Sequence, residues 1–366
     1  MGEVRVATGN LFFFYAYDVG FEITLAAAGA LCETAGFAGL AGLRPAPPHL
    51  QYRPKPLIVP AGTLEIPCDG NPVRVDATVK IFDFGALSVT LRLPADGLAW
   101  DEYTAAVFRL SGETGLETAA RGAALQVFER IRPAVSKPGL VADLVEEYSL
   151  WHVGSFIPHL TGAEALARLP QDIARLLTLE RGTFSDAALA EILSNPIRYF
   201  ENDLLFAEWD AAFAYDPKFQ DTVEVLEFLN VQMLELRYFD RVLHAAIDEM
   251  SEELRKERTL FSILHDPYER PLRKLSEIKM DVSMIRERVT NALKLVGNVY
   301  LARVYDEARR KVGTEKWEGT IRDQLKALED IYTILNNRAA AARAETLEMI
   351  IILLIALEIV MGLLRR

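Results

Sequence analysis

The chain has 366 residues, of which 51% are hydrophobic and 25% are charged, so a wholly disordered protein is excluded. Its 40 Lys and Arg residues against 52 Asp and Glu residues give a formal net charge of −12, which argues against a broad nucleic-acid-binding surface. The only cysteines, Cys32 and Cys68, are too few for a disulfide framework, and we expect both to be free, buried thiols.

The first part of the chain is predicted to combine strands and helices. Segments rich in aromatic and β-branched residues, or with alternating apolar and polar residues, predict strands. They lie at residues 12–23, 73–79, 86–93, 145–152, 197–200 and 204–215. Helical spacing predicts helices at residues 26–32, 100–110, 116–131, 163–179 and 185–194. Ser185 is the expected N-cap of the last helix. The six prolines between residues 45 and 60 predict an extended linker.

From residue 216 onward, apolar residues spaced by three and four predict long helices. The first is expected to begin at Pro217, and the second to span residues 272–312 and to end at Gly313. The third begins near Glu315. It carries a heptad seam formed by Ile321, Leu325, Leu328, Tyr332 and Leu335, and the same stepping reaches Met349, Leu353, Ala356 and Val360. A single helix is therefore predicted to run to the end of the chain.

The end of that helix is strongly apolar. Counted from Leu347 to Leu364, it would be about 27 Å long, close to the roughly 30 Å hydrocarbon core of a bilayer. The eleven Leu, Ile and Val residues after Met349 contribute about −5.5 kcal/mol to insertion, and Glu358 costs about 2.5–3.5 kcal/mol. The sequence therefore favours a transmembrane helix. A helix buried in a bundle or in the core of an oligomer is the alternative.

These patterns predict an α+β fold class and three regions. We expect a soluble α+β domain at residues 1–215, with a possible sub-boundary near 135–145, and long antiparallel helices or a coiled coil at 216–345. Residues 346–366 would form a C-terminal membrane anchor. Because the N-terminal sequence lacks a secretory or transit signal, the anchor is expected to cross once and to leave the bulk of the chain in the cytoplasm.

Motifs for catalysis are weak. The five histidines are scattered, and His152 and His159 lack the spacing of metal ligands. Gly36, Gly39 and Gly42 match neither the dinucleotide nor the P-loop fingerprint. We therefore expect no catalytic residue, no cofactor and no metal, although an enzyme with an unfamiliar motif stays open.

Polar residues within the apolar helices are more informative. We expect Glu227, Asn230, Glu235 and Arg237 to be partly enclosed and to pair with neighbouring helices, which would fix the register of the helices. Glu358 has no basic residue within the apolar run, so a homo-oligomer that encloses it is the simplest solution. The residues assigned to membrane and oligomer contacts are Glu348, Met349, Leu353, Ala356, Glu358 and Val360. A cation pore lined by a ring of Glu358 is an alternative.

The same C-terminal segment resembles a known family. The run Thr346-Leu347-Glu348-Met349-Ile350-Ile351-Ile352-Leu353-Leu354-Ile355-Ala356-Leu357-Glu358-Ile359-Val360, after the heptad helix, resembles the ending of the Required for Meiotic nuclear Division family. Two further segments are similar to that family, Phe82-Asp83-Phe84-Gly85-Ala86-Leu87-Ser88-Val89 and Val225-Leu226-Glu227-Phe228-Leu229-Asn230. The resemblance covers residues 75–366. It implies a membrane-tethered scaffold or assembly factor, as in the family's mitochondrial member, an inner-membrane-associated oligomer that supports organellar translation.

We therefore predict a non-enzymatic, membrane-tethered oligomeric scaffold that presents its α+β domain to other proteins. Its expected partners are further copies of itself, a membrane and unidentified proteins, without nucleic acid. Two alternatives remain. One is a soluble enzyme or ligand-binding protein whose apolar helix is buried in an oligomer, and the other is an ion-conducting oligomer.

Overall fold

The computed structural model of the protein describes residues 3–34, 50–52, 54–68, 71–139, 144–255, 269–295 and 299–364. Contacts divide the chain into two units. Unit 1 comprises Met1–Glu235 and Glu287–Glu315, and unit 2 comprises Leu236–Arg286 and Lys316–Arg366. The domain boundaries at 215 and 345 remain predictions.

Unit 1 is built on a seven-stranded mixed sheet. The strands of the chain are β1 (Arg5–Asp18), β2 (Glu22–Ile23), β3 (Leu50–Tyr52), β4 (Leu57–Cys68), β5 (Asn71–Ile81), β6 (Ala86–Pro94), β7 (Val135–Ser136), β8 (Val145–Ile157), β9 (Leu204–Ala207), β10 (Ala211–Tyr215) and β11 (Leu293–Leu295). The large sheet has the order β4-β5-β6-β1-β8-β10-β9, and β2 with β7 and β3 with β11 form separate pairs. Within the large sheet, β10 runs parallel to β8, and the other neighbours are antiparallel.

The helices confirm the α+β fold class. They are α1 (Leu25–Thr34), α2 (Trp100–Leu110), α3 (Thr114–Ile131), α4 (Gly162–Arg168), α5 (Pro170–Thr178), α6 (Asp186–Ile192), α7 (Gln220–Arg255), α8 (Glu269–Ala292), α9 (Val299–Lys311) and α10 (Thr314–Leu364). The Ser185 hydroxyl caps α6 by accepting the N–H of Ala188 at 3.3 Å, as predicted. The helix predicted at 163–179 is split, because Pro170 starts a new helix at a position where its missing N–H costs nothing.

Strand β4 forms despite its prolines. The prediction of an extended linker is therefore wrong from Leu57 onward. Pro60 and Pro67 both lie within β4. This strand is at the edge of the sheet, where every second N–H points away from the neighbouring strand and a proline therefore removes no ladder bond. The register also shifts between Pro60 and Gly62. Gly36, Gly39, Gly42 and the first prolines of the predicted linker lie outside the described residues.

The strand predicted at 204–215 is a hairpin. Residues 208–210 separate β9 from β10, and the Glu208 N–H donates to the Ala211 carbonyl at 2.8 Å to close the turn. The segment before it makes only an isolated bridge from Ile197 to Leu205. The Asp203 carboxylate accepts the N–H groups of Tyr199 and Phe200, which holds that segment as a loop.

The long helices differ from the prediction in two places. Helix α7 begins at Gln220, three residues after Pro217, because the Asp216 carboxylate holds the preceding turn through the Lys218 N–H at 2.7 Å. The helix predicted over 272–312 is interrupted by β11, which pairs with β3. Gly313 follows α9 with φ +72°, as predicted for a helix stop. Helix α10 is continuous over 51 residues, which confirms the single long helix.

Helices cover both faces of the sheet. On β1, Leu11, Phe13, Tyr15 and Tyr17 point into the main hydrophobic core, which also contains the buried sides of α2, α3 and α5. The alternate residues face α7, and the Phe12 and Phe219 ring centroids lie 5.8 Å apart. Because β1 is buried on both faces, its continuous apolar run is that of a central strand.

In unit 2, α10 packs along the second half of α7 and along α8. Gln324 donates to the Asp240 carboxylate at 2.7 Å, and Arg338 donates to the Leu254 carbonyl at 2.7 Å. Both contacts join residues that are 84 positions apart, so α10 runs parallel to α7. Lys279 of α8 pairs with Glu329 of α10 at 2.5 Å. The α10 residues buried along this side are Ile321, Leu328, Leu335, Ala339 and Ala342.

Candidate functional site

The last part of α10 is exposed on every side. Residues 347–364 are all solvent-exposed, and an 18-residue window of the helix has a mean hydropathy of 2.6 with 0% of it buried. Leaving a Leu or Ile side chain in water instead of burying it costs about 1.5–3 kcal/mol. The helix has the length and composition to cross a membrane, and it is the candidate functional site of unit 2.

Glu358 lies on the opposite side of this helix from the predicted seam. At about 100° of turn per residue, the four seam residues lie roughly 140° to 180° around the helix from Glu358. They are Met349, Leu353, Ala356 and Val360. Glu348 lies between the two faces, roughly 80° from Glu358. The residues that the sequence placed in one oligomer contact therefore fall on different faces of α10.

A second candidate site is the buried polar layer between α7 and the sheet of unit 1. Lys80 of β5 donates to the Glu227 carboxylate at 2.5 Å and lies 2.7 Å from that of Glu224. Burial favours the neutral amine, but the two carboxylates outweigh it and raise the pKa of Lys80. Burial also raises the pKa of Glu227, although Lys80 opposes the shift. Lys80 and Glu227 therefore form an ion pair held away from water, and Glu224 lies at its partly exposed edge.

Asn230 attaches α7 to the centre of the sheet. Its side-chain amide donates to the Glu146 carbonyl of β8 at 3.1 Å and to the Phe14 carbonyl of β1 at 3.4 Å. Asn230 is buried, so these two acceptors replace the water that its amide would otherwise bind. The contact fixes the position of α7 across two neighbouring strands.

Glu235 and Asp18 form a buried acidic pair. Glu235 is 1% exposed, and neither of its carboxyl oxygens has a hydrogen-bond partner in the described part of the chain. Burial and the nearby carboxylate of Asp18 raise the pKa of Glu235 well above its ordinary value. Burial also raises the pKa of Asp18 to about 7, and a bond from the Gly20 N–H opposes that shift. Burial and Asp18 therefore both favour the neutral form of Glu235.

Three of the four polar residues that the sequence singled out in α7, Glu227, Asn230 and Glu235, are buried. The sequence did not identify their partners. Glu227 and Asn230 bind strands and not the neighbouring helices that we expected. The reason is that α7 lies across a sheet, and the partner residues in that sheet, Lys80 and Glu146, are more than 80 positions away in the chain. Arg237 is half-buried and belongs to unit 2. Lys80 carried no sequence signal of its own, because Arg74 and Asp76 occupy the same alternating positions of β5.

His152 is part of a separate buried network. Its Nδ1 atom lies 3.1 Å from the Asn10 amide, and its Nε2 atom lies 2.9 Å from the Asp216 carbonyl. The Asn10 oxygen in turn accepts a bond from Arg92 at 2.7 Å. Burial lowers the pKa of His152 to about 4. His159 is exposed, and the described residues include no group of three or more His, Cys, Asp and Glu side chains placed to hold a metal ion.

The fold and its exposed helix define the class of the protein, which is an α+β sheet protein with a candidate membrane helix. The chain belongs to the family described as "Uncharacterized protein MJ0711, N-terminal domain", whose model matches residues 8–222. It is 25% identical over 193 residues to the uncharacterized protein MJ0711 of Methanocaldococcus jannaschii. That alignment covers 52% of this chain and 58% of the relative. No solved structure matches the chain.

These comparisons overturn the resemblance to the Required for Meiotic nuclear Division family. The family match begins at residue 8 and ends at residue 222, before the apolar run on which the resemblance mainly depended. Leu and Ile dominate most transmembrane helices because lipid selects them, so an apolar run carries little information about ancestry. The implied link to organellar translation is withdrawn with the resemblance.

Proposed function

We propose that this protein is a membrane-tethered scaffold without catalytic activity. Helix α10 inserts through residues 347–364, and unit 1 is available to protein partners on the cytoplasmic side. The observation that carries the proposal is the 18-residue stretch of α10 that is apolar and entirely uncovered. In lipid, the backbone hydrogen bonds of this stretch are made within the helix, and its apolar side chains are not exposed to water.

The polar layer of unit 1 supports a structural role for α7 over a catalytic one. Lys80, Glu227 and Asn230 are occupied by one another or by backbone carbonyls, and each is less than 7% exposed. A catalytic group must reach a substrate. These side chains instead secure α7 to the sheet, which suits a rigid body that displays a surface.

Membrane extraction of the full chain tests the anchor. We expect the protein to stay with membranes after an alkaline wash and to dissolve only in detergent. Replacing Ile352→Arg and Ile355→Arg together adds about 6–8 kcal/mol to insertion and should release the chain. Ala341→Arg with Ala344→Arg is the matched control, since both alanines are exposed on the same helix before the apolar stretch. Unaltered protein that is soluble without detergent would contradict the anchor.

The scaffold role is tested in the same membranes. Chemical cross-linking of the tagged full chain should capture a defined protein in a stable ratio, and the purified protein should contain no bound cofactor. A stoichiometric cofactor or metal in that preparation would favour the soluble or enzymatic alternatives.

A further inference from the structure

The proposed membrane helix has one face that lipid alone does not satisfy. We define the Glu358 face as the residues within roughly 60° of Glu358 around the helix. It comprises Leu347, Ile351, Leu354, Ile355, Glu358, Met361 and Gly362. The sequence has no Lys, Arg or His between Arg343 and Arg365, so the inserted stretch contains no cation for this carboxyl group.

Glu358 also lies too deep to reach water by itself. Along the helix it is about 17 Å from Leu347 and about 9 Å from Leu364. A glutamate side chain is shorter than either distance. A polar group at that depth is stable only when another polar group meets it, and such residues normally face protein.

We infer that the partner of this carboxyl group is Glu358 of a second copy of this chain, packed in parallel against the same face. The inference rests on the membrane function proposed above. Copies that insert in the same direction place identical residues at identical depth, so a two-fold axis brings the two carboxyl groups together. A carboxylic acid offers both a donor and acceptors, so two of them complete each other's hydrogen bonds.

Gly362 makes close approach possible at the same face. It lies one turn beyond Glu358, and a Cβ atom built at this position would meet nothing within 4 Å. A small residue at a helix contact allows the backbones of two membrane helices to approach closely. The opposite face offers Leu353, Ala356 and Val360, of which Ala356 alone is small, and none of the three carries a polar side chain that needs a partner other than lipid.

Cysteine cross-linking in membranes identifies the contact face. Leu354→Cys and Met361→Cys lie on the Glu358 face, and Leu353→Cys and Val360→Cys are matched controls with the same spacing on the opposite side. We expect disulfide-linked dimers of twice the 40.9 kDa chain mass to be at least roughly fivefold more abundant for the first pair. The unaltered chain is the blank, because Cys32 and Cys68 are buried. Equal yields, a preference for the opposite face, or a cross-linked band of another mass would overturn the inference.

Substitutions on the Glu358 face test whether the paired carboxyl groups and Gly362 hold the dimer together. Glu358→Leu and Gly362→Leu should each lower the dimer fraction by roughly threefold to tenfold, whereas Glu358→Gln should preserve it because an amide also donates and accepts. A dimer fraction unchanged by Glu358→Leu would refute the carboxyl pair. Membrane extraction of the same samples separates the two proposals. Protein that stays in membranes as a monomer contradicts this inference alone, and protein that needs no detergent contradicts the membrane function itself.

Discussion

Lys80 Nζ donates to the Glu227 carboxylate at 2.5 Å, and this bond joins β5 to α7 across 147 positions of chain. Both side chains are buried, so each depends on the other to remain charged away from water. The pair is therefore one of the contacts that hold α7 on the sheet, beside those of Asn230.

Loss of one partner of this pair should destabilise unit 1 strongly. Lys80→Met removes the cation that the buried Glu227 carboxylate binds, and we expect the free energy of unfolding to fall by about 3–5 kcal/mol. Lys274→Met is the matched control, because the Lys274 and Glu249 side chains are about half exposed and such pairs contribute about 0–1 kcal/mol. Urea unfolding in detergent measures both. Equal losses for the two variants would mean that the buried pair contributes no more than a surface pair.

Asp18 should make unit 1 less stable as the pH rises. The unfolded chain releases this proton near pH 3.8, whereas the folded protein keeps it to about pH 7. Between these values the folded state binds more protons, so the free energy of unfolding falls with increasing pH, by about 4 kcal/mol in total. Asp18→Asn should remove the part of that slope that is due to Asp18, leave the part that is due to Glu235, and stabilise the protein at pH 7–8. Unfolding curves from about pH 4 to pH 8 give the comparison, with the exposed Asp101→Asn as the control that keeps the slope.

His152 should act in the opposite direction. Its pKa falls from 6.5 in the unfolded chain to about 4 in the fold, so the unfolded state binds more protons between those values. Stability should therefore decrease by about 3 kcal/mol as the pH falls from about 6.5 to about 4. His152→Gln should lose this dependence, and His159→Gln, at an exposed position, should retain it. A wild-type slope in His152→Gln would assign the acid sensitivity to another group.

Two glycines with positive φ should respond differently to alanine. A Cβ atom at Gly85 would lie 1.7 Å from the Gly20 carbonyl oxygen, whereas one at Gly97 would meet nothing within 4 Å. Gly97→Ala should cost about 1–2 kcal/mol from its backbone conformation alone. Gly85→Ala should cost about 4 kcal/mol or more, because the turn must also open. Thermal unfolding of the pair measures the difference, and similar melting temperatures would show that the turn can shift.

The elements that could be predicted are those specified by residues close together in the chain. The apolar spacing of α2 gives its bounds at Trp100 and Leu110, and the capping hydroxyl of Ser185 marks the start of α6. The long apolar stretch of α10 is likewise a property of consecutive residues. In each case neighbouring residues provide enough information, because helix periodicity and capping act within a few positions.

The features that depend on neighbours distant in the chain could not be predicted. The prolines predicted a linker in a region where β4 forms. Proline is tolerated there because β4 is an edge strand, and only the order of the strands in the sheet shows this. The break in the helix at Leu293–Leu295 depends on pairing with Leu50–Tyr52, more than 200 positions earlier. Glu227 could be recognised as enclosed from its apolar surroundings, but nothing near it in sequence points to Lys80.

Because α10 is one continuous helix, the angle around the helix axis between any two of its residues is set by their separation in the sequence. Ala342, covered by its own unit, and Glu358 lie roughly 160° apart around the same helix, and no proline intervenes to reset that angle. If two copies met through Glu358, the side of α10 that faces α7 and α8 would therefore point away from the second copy. Two copies could meet in the membrane without disturbing the helices that each already carries.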